Sequence, residues 1–494
     1  MTPEHPPPLP PDAVGRSAEW QRLVDFTSNS ARHSTLGLVW GRRRIGKSYL
    51  LSQLGEHGGL YYEAIRGSTS EALADLGAAV AATVGAPAPV HFGNWSEAIA
   101  ALMRLGAEKP FTVVLDEYPY LREESPDLDS ILQRTFGPRS PLRTQNQCRL
   151  ILCGSAMSVM SELLSGSAPL RGRAGMDLRI SAFDYRDARQ LHGTNDLRLA
   201  VRLFSIIGGV AAYARDMVDG DLPSSLRGLD AWVARRVLSP AAPLSREVDL
   251  LLSEDPTTAH ARKPHLYQAV LAAVALGRHT AGRIASYVGV SGQRLDPVLR
   301  GLVDAQFIQR VLDPVRDNRP IYLPGDSMIR FHYAILRPHH SRLQRHNADH
   351  QSLWRDLGTT FSSNVVGPSF EATARHWLTH YADLGSVASG GIHVGSTTVG
   401  TGGRDHEVDL VVARDDGIRP ADRSVAVLGE AKSGEEIGSG HLARLEHIRA
   451  AMGDRATDAA LYLVGPRFSP SLVKSASSRR DVELVDLDRL YYGS

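Results

Sequence analysis

The chain is expected to fold as an α/β protein in which a parallel sheet around a phosphate-binding loop precedes helices, a winged helix-turn-helix and a second α/β unit. Three observations predict this. A glycine-containing loop near residue 41 separates an apolar strand from a helix, and short apolar strands then alternate with helical segments. The pattern changes to three helices and a hairpin between residues 259 and 345. Strands return after residue 346.

The loop has the spacing G-x-x-x-x-G-K-S and comprises Gly41, Arg42, Arg43, Arg44, Ile45, Gly46, Lys47 and Ser48, with Tyr49 in the helix that follows. Glycines permit the positive φ angles that curl a backbone around phosphate, and the curled N–H groups form an anion site at a helix start. At this spacing Lys47 reaches the β- and γ-phosphates of ATP, and the Ser48 hydroxyl binds Mg²⁺. The alternative is a chance turn, but the flanking strand and helix favour a nucleotide site.

Polar residues end two of the predicted strands. A continuous apolar run, typical of a buried parallel strand, ends in Asp116 and Glu117. We expect Asp116 to emerge beside Ser48 and hold Mg²⁺ through water, and Glu117 to polarise the attacking water as the catalytic residue. Ser155 ends the next strand, where it would either contact the γ-phosphate or cap the following helix.

Two arginines, Arg171 and Arg173, follow in a glycine-containing loop. They could supply positive charge to the transition state, with Arg173 as the catalytic candidate, or they could form a solvated basic loop. Residues 179–183 are predicted to form a further strand. Residues 186–258 are predicted to form a helical lid on the nucleotide domain.

Residues 259–345 have the order helix, helix, turn, helix and hairpin, which predicts a winged helix-turn-helix. In its third helix, Gln293, Arg294 and Arg300 are expected to face outward towards phosphates or base edges. Between residues 262 and 345 there are 13 basic and 5 acidic residues, so the net charge is 13 − 5 = +8 in a chain whose total is +1. This concentration of positive charge predicts double-stranded DNA as a partner, whereas the alternative is a packing module.

Residues 346–494 are predicted to form the second α/β unit, with strands near 387–394, 406–412, 424–430, 459–464 and 482–485. Alternation along two of these strands directs Asp409, Glu430 and Lys432 to one point, and Glu371 on the preceding helix could complete the cluster. The carboxylates of Glu371, Asp409 and Glu430 would hold Mg²⁺, and Lys432 would orient a water molecule or offset phosphate charge. A solvated ion pair at a strand end is the alternative.

With both clusters placed, the chain resembles the archaeal-type ATPase family, a branch of the STAND/AAA-like P-loop ATPases. The residues that carry this resemblance are 41–48, 115–121, 153–155, 169–173 and 208–213. Residues 370–371, 407–409 and 429–432 make the last unit similar to the restriction-endonuclease-like (PD-(D/E)xK) nuclease fold. The family usually has an aromatic residue in place of Arg171, which leaves the role of the loop arginines open.

The resemblance implies ATP binding and hydrolysis that control a Mg²⁺-dependent, DNA-binding nuclease-like domain, in defence or mobile-element biology. The alternative is an ATP-gated DNA-binding or signalling scaffold with an inactive C-terminal domain. The expected domains are a disordered proline-rich tail (1–13), a P-loop ATPase core (14–185), the helical lid (186–258), the winged helix-turn-helix (259–345) and the nuclease-like domain (346–494).

The amino-acid composition bears on the cellular location and the partners of the chain. The total charge, 55 − 54 = +1, indicates no partner by itself. Two cysteines, Cys148 and Cys153, fit a reducing compartment, and no apolar run approaches the ~20 residues of a membrane span. The expected location is therefore the cytoplasm, without a membrane partner, and a homo-oligomer is compatible with the sequence.

Overall fold

A computed structural model describes residues 8–10, 13–166, 168–259, 261–385, 390–401 and 403–494. Most of the predicted disordered tail lies outside these residues, and so does the start of the strand predicted at 387–394. The chain divides into two compact units. Unit one comprises the described residues up to Ala182 together with Val210–Ala212 and Asp255–Thr257. Unit two comprises Phe183–Gly209, Tyr213–Glu254 and the described residues from Thr258 to Ser494.

Unit one contains a five-stranded sheet in which every adjacent pair is parallel, in the order β2-β3-β4-β1-β5. This confirms the predicted α/β class with a parallel sheet. The strands are β1 (Thr35–Trp40), β2 (Leu60–Glu63), β3 (Phe111–Asp116), β4 (Cys148–Gly154) and β5 (Ala174–Arg179). The helices are Ser17–Thr27, Lys47–Glu56, Thr69–Val84, Trp95–Arg104, Tyr118–Glu124, Leu128–Thr135, Pro141–Thr144 and Met157–Glu162.

The central strands of unit one are apolar on both faces because helices cover both sides of the sheet. In β3, Val113 and Leu115 join one core cluster, whereas Val114 between them joins the other. In β4, Leu152 and Cys153 divide in the same way. This double burial explains why β3 and β4 were recognisable as continuous apolar runs.

The strand predicted at residues 179–183 is wrong, because β5 ends where that prediction begins. β5 is an edge strand, paired only with β1 among the described strands, and its exposed residues alternate with partly buried residues and with the buried Leu178. It therefore lacks the continuous apolar run that marks a central strand. Directly after β5, the N–H of Ile180 donates to the carbonyl of Trp40, the last residue of β1, over 2.8 Å.

Unit two begins with helices Tyr185–Leu191, Leu197–Ile207, Leu226–Val233 and Glu247–Glu254, with a π-helix at Ala234–Leu238 and a 3₁₀-helix at Pro243–Arg246. Two short helices, Ala211–Ala214 and Pro256–Ala259, include residues of both units. Most of the segment predicted as a lid therefore belongs to unit two, and its role as a lid stays a prediction.

The winged helix-turn-helix comprises helices Pro264–Ala275, Ala281–Val288 and Gly292–Asp304 and the antiparallel pair β6 (Ile308–Leu312) and β7 (Pro320–Pro324). Thr280 caps the second helix by accepting a hydrogen bond from the N–H of Arg283. Further helical segments follow at Ser327–Phe331, His332–Leu336, Arg337–His339, His340–Leu343, His350–Asp356, Gly358–Phe361, Ser362–Val366 and Gly367–His380.

The C-terminal part of unit two is a mixed sheet in the order β12-β11-β10-β9-β8. Its strands are β8 (Ile392–Thr401), β9 (Arg404–Arg414), β10 (Val425–Ala431), β11 (Ala460–Val464) and β12 (Val482–Val485). β8, β9 and β10 are antiparallel neighbours, whereas β10, β11 and β12 run parallel. The connecting helical segments are Pro420–Asp422, Ser439–Ala451, Gly453–Ala456 and Pro470–Ser477, and the last helix is Leu487–Tyr492.

No helix among the described residues combines the length and the apolar content needed to cross a bilayer.

Three histidines of unit two, His192, His279 and His332, are largely buried, and burial lowers the pKa of each to about 4. The unfolded chain protonates histidine below about pH 6.5. The contribution of these histidines to the free energy of unfolding is therefore fully present above that pH. It is lost as the pH falls towards 4.

We expect His279→Asn to reduce this acid sensitivity, because the variant has one fewer buried imidazole to protonate. Relative to the unmodified chain, it should recover up to about 2 kcal/mol at about pH 5. Calorimetric unfolding of the full chain at about pH 7.5 and about pH 5 measures this. His346→Asn, at an exposed position, is the matched control. Equal acid sensitivity in the two variants would contradict the prediction.

Candidate functional site

The glycine-containing loop of unit one has the geometry that its sequence requires. Gly46 has φ +94° and caps helix Lys47–Glu56 from the left-handed region. Gly41 lies so close to the next segment that a Cβ there would be 2.2 Å from the carbonyl oxygen of Ile180. The Nζ of Lys47, a nearly buried residue, donates to the carbonyl of Arg42 over 3.0 Å. The lysine is therefore held across the loop at the start of the helix.

A residue outside the motif supports the loop from behind. The Arg16 guanidinium donates to the carbonyl of Ile45 over 3.0 Å and to that of Ser181 over 2.8 Å. Arg16 is 5% exposed, so these are buried charge-assisted hydrogen bonds. Arg16 follows a glycine directly ahead of the first helix, but the sequence gives no sign of the contacts that the arginine makes with the loop.

The remaining loop residues are placed as follows. Arg44 has φ +69°, and its carbonyl accepts from the N–H of Ala212. The positive charge of Arg43 opposes the rise in the pKa of Glu63 that burial and the charges of Asp116 and Glu117 produce. Tyr49 lies on the exposed side of the helix.

Asp116 at the end of β3 is fully buried and lies beside the loop. Its Oδ2 accepts from the Ser48 hydroxyl over 2.6 Å and from the Tyr61 hydroxyl over 2.7 Å, and its Oδ1 accepts from the N–H of Glu117 over 2.8 Å. Burial, followed by the charge of Asp116, raises the pKa of Tyr61 well above its usual value, so this hydroxyl stays protonated and donates. A carboxylate and a hydroxyl at hydrogen-bond distance are oxygen donors of the kind that Mg²⁺ accepts beside a phosphate.

Glu117 is held by the neighbouring strand. It has φ +50° at the start of helix Tyr118–Glu124, and its two carboxylate oxygens accept from the Ser155 hydroxyl over 2.9 and 3.0 Å. The structure therefore brings Glu117 and Ser155 together. Ser155 precedes helix Met157–Glu162, whose capping position is Ala156, so the observed partner of the serine is the glutamate.

Arg173 makes a different kind of contact. Its Nε donates to the carbonyl of Gln133 over 3.1 Å, within helix Leu128–Thr135. Its neighbour Arg171 donates to the carbonyl of Gly166. A catalytic role for Arg173 therefore stays a prediction.

A second polar cluster forms in unit two where β9 and β10 pair. The register places Leu410 opposite Gly429, so Asp409 and Glu430 come next to each other. Lys432 Nζ lies 3.0 Å from Glu430 Oε1 and 3.6 Å from Asp409 Oδ2, and the N–H of Ala431 donates to Asp409 Oδ2 over 3.1 Å. The structure thus brings together three of the four predicted residues by direct contact.

Glu371, the fourth residue, belongs to the same electrostatic cluster. Burial, followed by the charge of Asp409, raises the pKa of Glu371 to about 7, against the opposing charges of Arg375, Lys432 and Arg330. Arg375 also donates to the carbonyl of Asp409 over 2.9 Å. Helix Gly367–His380 therefore contributes both a carboxyl group and a supporting arginine to this cluster.

Arg444, on helix Ser439–Ala451, was not predicted to be part of this cluster. Its NH1 lies 2.8 Å from Glu430 Oε2, so Arg444 and Lys432 together occupy both oxygens of that carboxylate. Within the described part of the chain, no three His, Cys, Asp or Glu side chains are arranged to hold a metal ion. The metal-binding roles of Glu371, Asp409 and Glu430 therefore stay a proposal.

The third helix of the winged helix-turn-helix exposes the side chains that were predicted to face outward. Gln293, Arg294 and Arg300 are exposed on helix Gly292–Asp304, as expected. Arg330, counted among the basic residues, is instead 7% exposed and belongs to the Glu371 cluster. The basic charge available at the surface is therefore smaller than the sequence count.

The wing, defined here as residues 313–319 between β6 and β7, is packed against the C-terminal sheet of unit two. Asp313 accepts from the Thr397 hydroxyl over 2.8 Å, and Arg316 donates to the carbonyl of Thr398 over 2.9 Å. Val315 is 4% exposed and joins the core cluster that includes Val408 and Leu428. The wing is thus committed to packing, whereas the choice between a DNA contact and a packing module for the whole winged helix-turn-helix stays a prediction.

The parallel sheet, the curled loop and the Ser48–Asp116 pair define unit one as a P-loop, or Walker-type, fold. No family model matches the chain. It is 24% identical to the uncharacterized protein MJECL04 of Methanocaldococcus jannaschii over 399 residues, which are 76% of this chain and 79% of that protein.

Solved structures give weaker likenesses. The Walker-type ATPase PABY2304 of Pyrococcus abyssi is 20% identical, with a TM-score of 0.48, over 67% of this chain and 99% of that one. The ORC2 protein of Aeropyrum pernix is 15% identical, with a TM-score of 0.43, over 68% and 97%. These values are too low to assign the chain to a family.

We expect Tyr61→Phe to weaken the binding of Mg²⁺ together with the nucleotide, because Asp116 loses one of the two hydroxyls that donate to its Oδ2. The Mg²⁺ concentration needed for half-maximal binding should rise roughly tenfold. Calorimetric titration of ATP at several Mg²⁺ concentrations measures this. Tyr62→Phe is the matched control, since the Tyr62 hydroxyl donates to the carbonyl of Ala72 instead. An identical Mg²⁺ requirement in the two variants would refute the role of Tyr61.

Proposed function

We propose that unit one binds ATP with Mg²⁺ and hydrolyses it. The observation that carries this proposal is the 2.6 Å hydrogen bond from the Ser48 hydroxyl to Asp116, directly after Lys47 in a curled loop. In P-loop proteins these two positions hold the metal ion beside the β- and γ-phosphates. The same observation supports, but does not require, membership of the archaeal-type ATPase family.

The proposed reaction assigns one task to each residue. Lys47 exchanges the carbonyl of Arg42 for phosphate oxygens, and loop N–H groups bind the remaining charge. Asp116 and Ser48 would hold Mg²⁺, which supplies charge neutralisation when bound. Glu117 leaves the Ser155 hydroxyl to accept a hydrogen bond from the attacking water, so its contact with Ser155 is the resting arrangement of the catalytic base.

The first test separates binding from turnover. Lys47→Ala should abolish measurable ATP binding, because the loop loses its only lysine. Glu117→Gln should bind ATP normally but hydrolyse it roughly 10²- to 10⁴-fold more slowly, because an amide cannot accept the proton. Calorimetry and steady-state phosphate release measure the two quantities. Normal turnover in Glu117→Gln would disprove the catalytic assignment.

For unit two, we propose a DNA-binding, Mg²⁺-dependent nuclease whose activity the nucleotide state of unit one controls, in defence or mobile-element biology. The supporting observation is the contact of Lys432 with both Asp409 and Glu430, since a lysine beside two carboxylates suits cleavage of a phosphodiester. The exposed side chains of Gln293, Arg294 and Arg300 supply a surface for double-stranded DNA. The cytoplasmic location and a homo-oligomeric state remain predictions.

Cleavage of duplex DNA in the presence of ATP and Mg²⁺ tests this part. Asp409→Ala and Lys432→Ala should each lower the rate of DNA cleavage by about 10²-fold or more, while leaving the rate of ATP hydrolysis unchanged. Glu435→Ala is a control that should cleave normally, because Glu435 is exposed and lies three residues after Lys432. Cleavage that persists in both site variants would exclude the assigned residues.

A second candidate is an ATP-gated DNA-binding or signalling scaffold whose C-terminal domain is inactive. It is favoured by the occupation of both Glu430 oxygens by Lys432 and Arg444, which leaves this carboxylate paired rather than open to metal. Calorimetry with Mn²⁺ distinguishes the two functions. A site that disappears in Asp409→Ala supports the nuclease, and the absence of any such site supports the scaffold.

A further inference from the structure

Unit two contains a cavity of about 190 Å³ at one edge of its C-terminal sheet. The strands β10, β11 and β12 run parallel, so their carboxyl ends meet at this edge. The residues that follow these ends, Ser433 after β10, Arg467 after β11 and Leu487 after β12, all line the cavity. In open α/β sheets this is the edge at which ligands bind.

The opposite wall is helical and brings further positive charge. Arg198 and Arg202 of helix Leu197–Ile207 line it, together with the fully buried Phe370. No carboxylate is among the lining residues, and none of Arg198, Arg202 and Arg467 forms an ion pair with a described carboxylate. The nearby carboxylate of Asp196 is already engaged, because it caps the helix through the N–H groups of Arg198 and Leu199.

Three guanidinium groups without carboxylate partners, at one concave site, leave a positive potential that an anion would neutralise. Guanidinium groups match phosphate oxygens in geometry and bind them in bidentate fashion. Ser433 adds a hydroxyl donor, and Phe370 and Leu487 add an apolar wall that a sugar or base can contact. The cavity is smaller than the roughly 300–1,000 Å³ of pockets for whole small molecules, so it suits a phosphate with its attached sugar.

We propose that this arginine pocket binds the phosphate group of a nucleotide, either free or within a nucleic-acid strand. The proposal does not depend on nuclease chemistry, because Asp409, Glu430 and Lys432 do not line the pocket. Ser433, however, directly follows Lys432. A strand phosphate bound here would therefore lie one residue along the chain from the lysine of the proposed nuclease site, and this additional step rests on the proposed function.

The test uses the full chain carrying Lys47→Ala, so that the loop of unit one does not bind the probes. Three probes are titrated by calorimetry: inorganic phosphate, AMP and a 5′-phosphorylated single-stranded oligonucleotide. The variant Arg202→Glu with Arg467→Glu should weaken binding of AMP or of the oligonucleotide by roughly tenfold or more. Arg480→Glu is the control, since this exposed arginine precedes β12 at the opposite edge of the sheet. It reverses one charge and is therefore charge-matched to Arg467→Glu alone.

Each pattern of results decides a different point. Weaker binding of AMP and phosphate identifies a free nucleotide as the ligand source, and weaker binding of the oligonucleotide alone identifies a strand. The proposal is overturned if none of the probes binds, or if all bind equally well to the pocket variant and to Arg480→Glu. Thermal unfolding verifies that the variants fold. If the double variant does not fold, it is replaced by Arg467→Glu alone, because the Arg467 side chain is exposed.

Discussion

The arrangement of the loop and strand ends in unit one depends on the hydrogen bond between the Ser48 hydroxyl and the buried carboxylate of Asp116. This bond joins the loop after β1 to the end of β3, two strands that are not neighbours, because β4 lies between them. Ser155, at the end of β4, fills the intervening position and holds Glu117. Since all these strands are parallel, their polar ends lie at one edge of the sheet, and a phosphate site can form there without any long-range loop.

Unit two also buries charged groups, and three of them interact electrostatically near its second polar cluster. Arg330, Glu371 and Arg375 lie within the fold, where each ion is favourable only because others offset its desolvation. The wing is likewise committed to packing through Asp313 and Val315. Arg330 and the packed residues of the wing are therefore not available at the surface, whereas Arg294 and Arg300 on helix Gly292–Asp304 are exposed.

Much of this organisation could be read from the sequence where local signals are strong. The spacing around Lys47, the apolar run ending in Asp116 and the alternation around Asp409 each predict a position from neighbours along the chain. The strand before Ile180 was misplaced because an edge strand, with one exposed side, carries a weaker pattern. Tyr61, Arg16 and Arg444 were missed because their partners are distant in sequence, and no spacing rule links them.

The sequence by itself determined the α/β class, the phosphate loop and the identity of the carboxylates at the strand ends. These follow from periodicity and from the backbone freedom of glycine, which are local properties. Tertiary structure alone decided which arginines are buried, that the wing packs against a sheet, and that three arginines surround one cavity. Burial and ion pairing depend on which distant segments meet, and this is set by the folded core rather than by residue order.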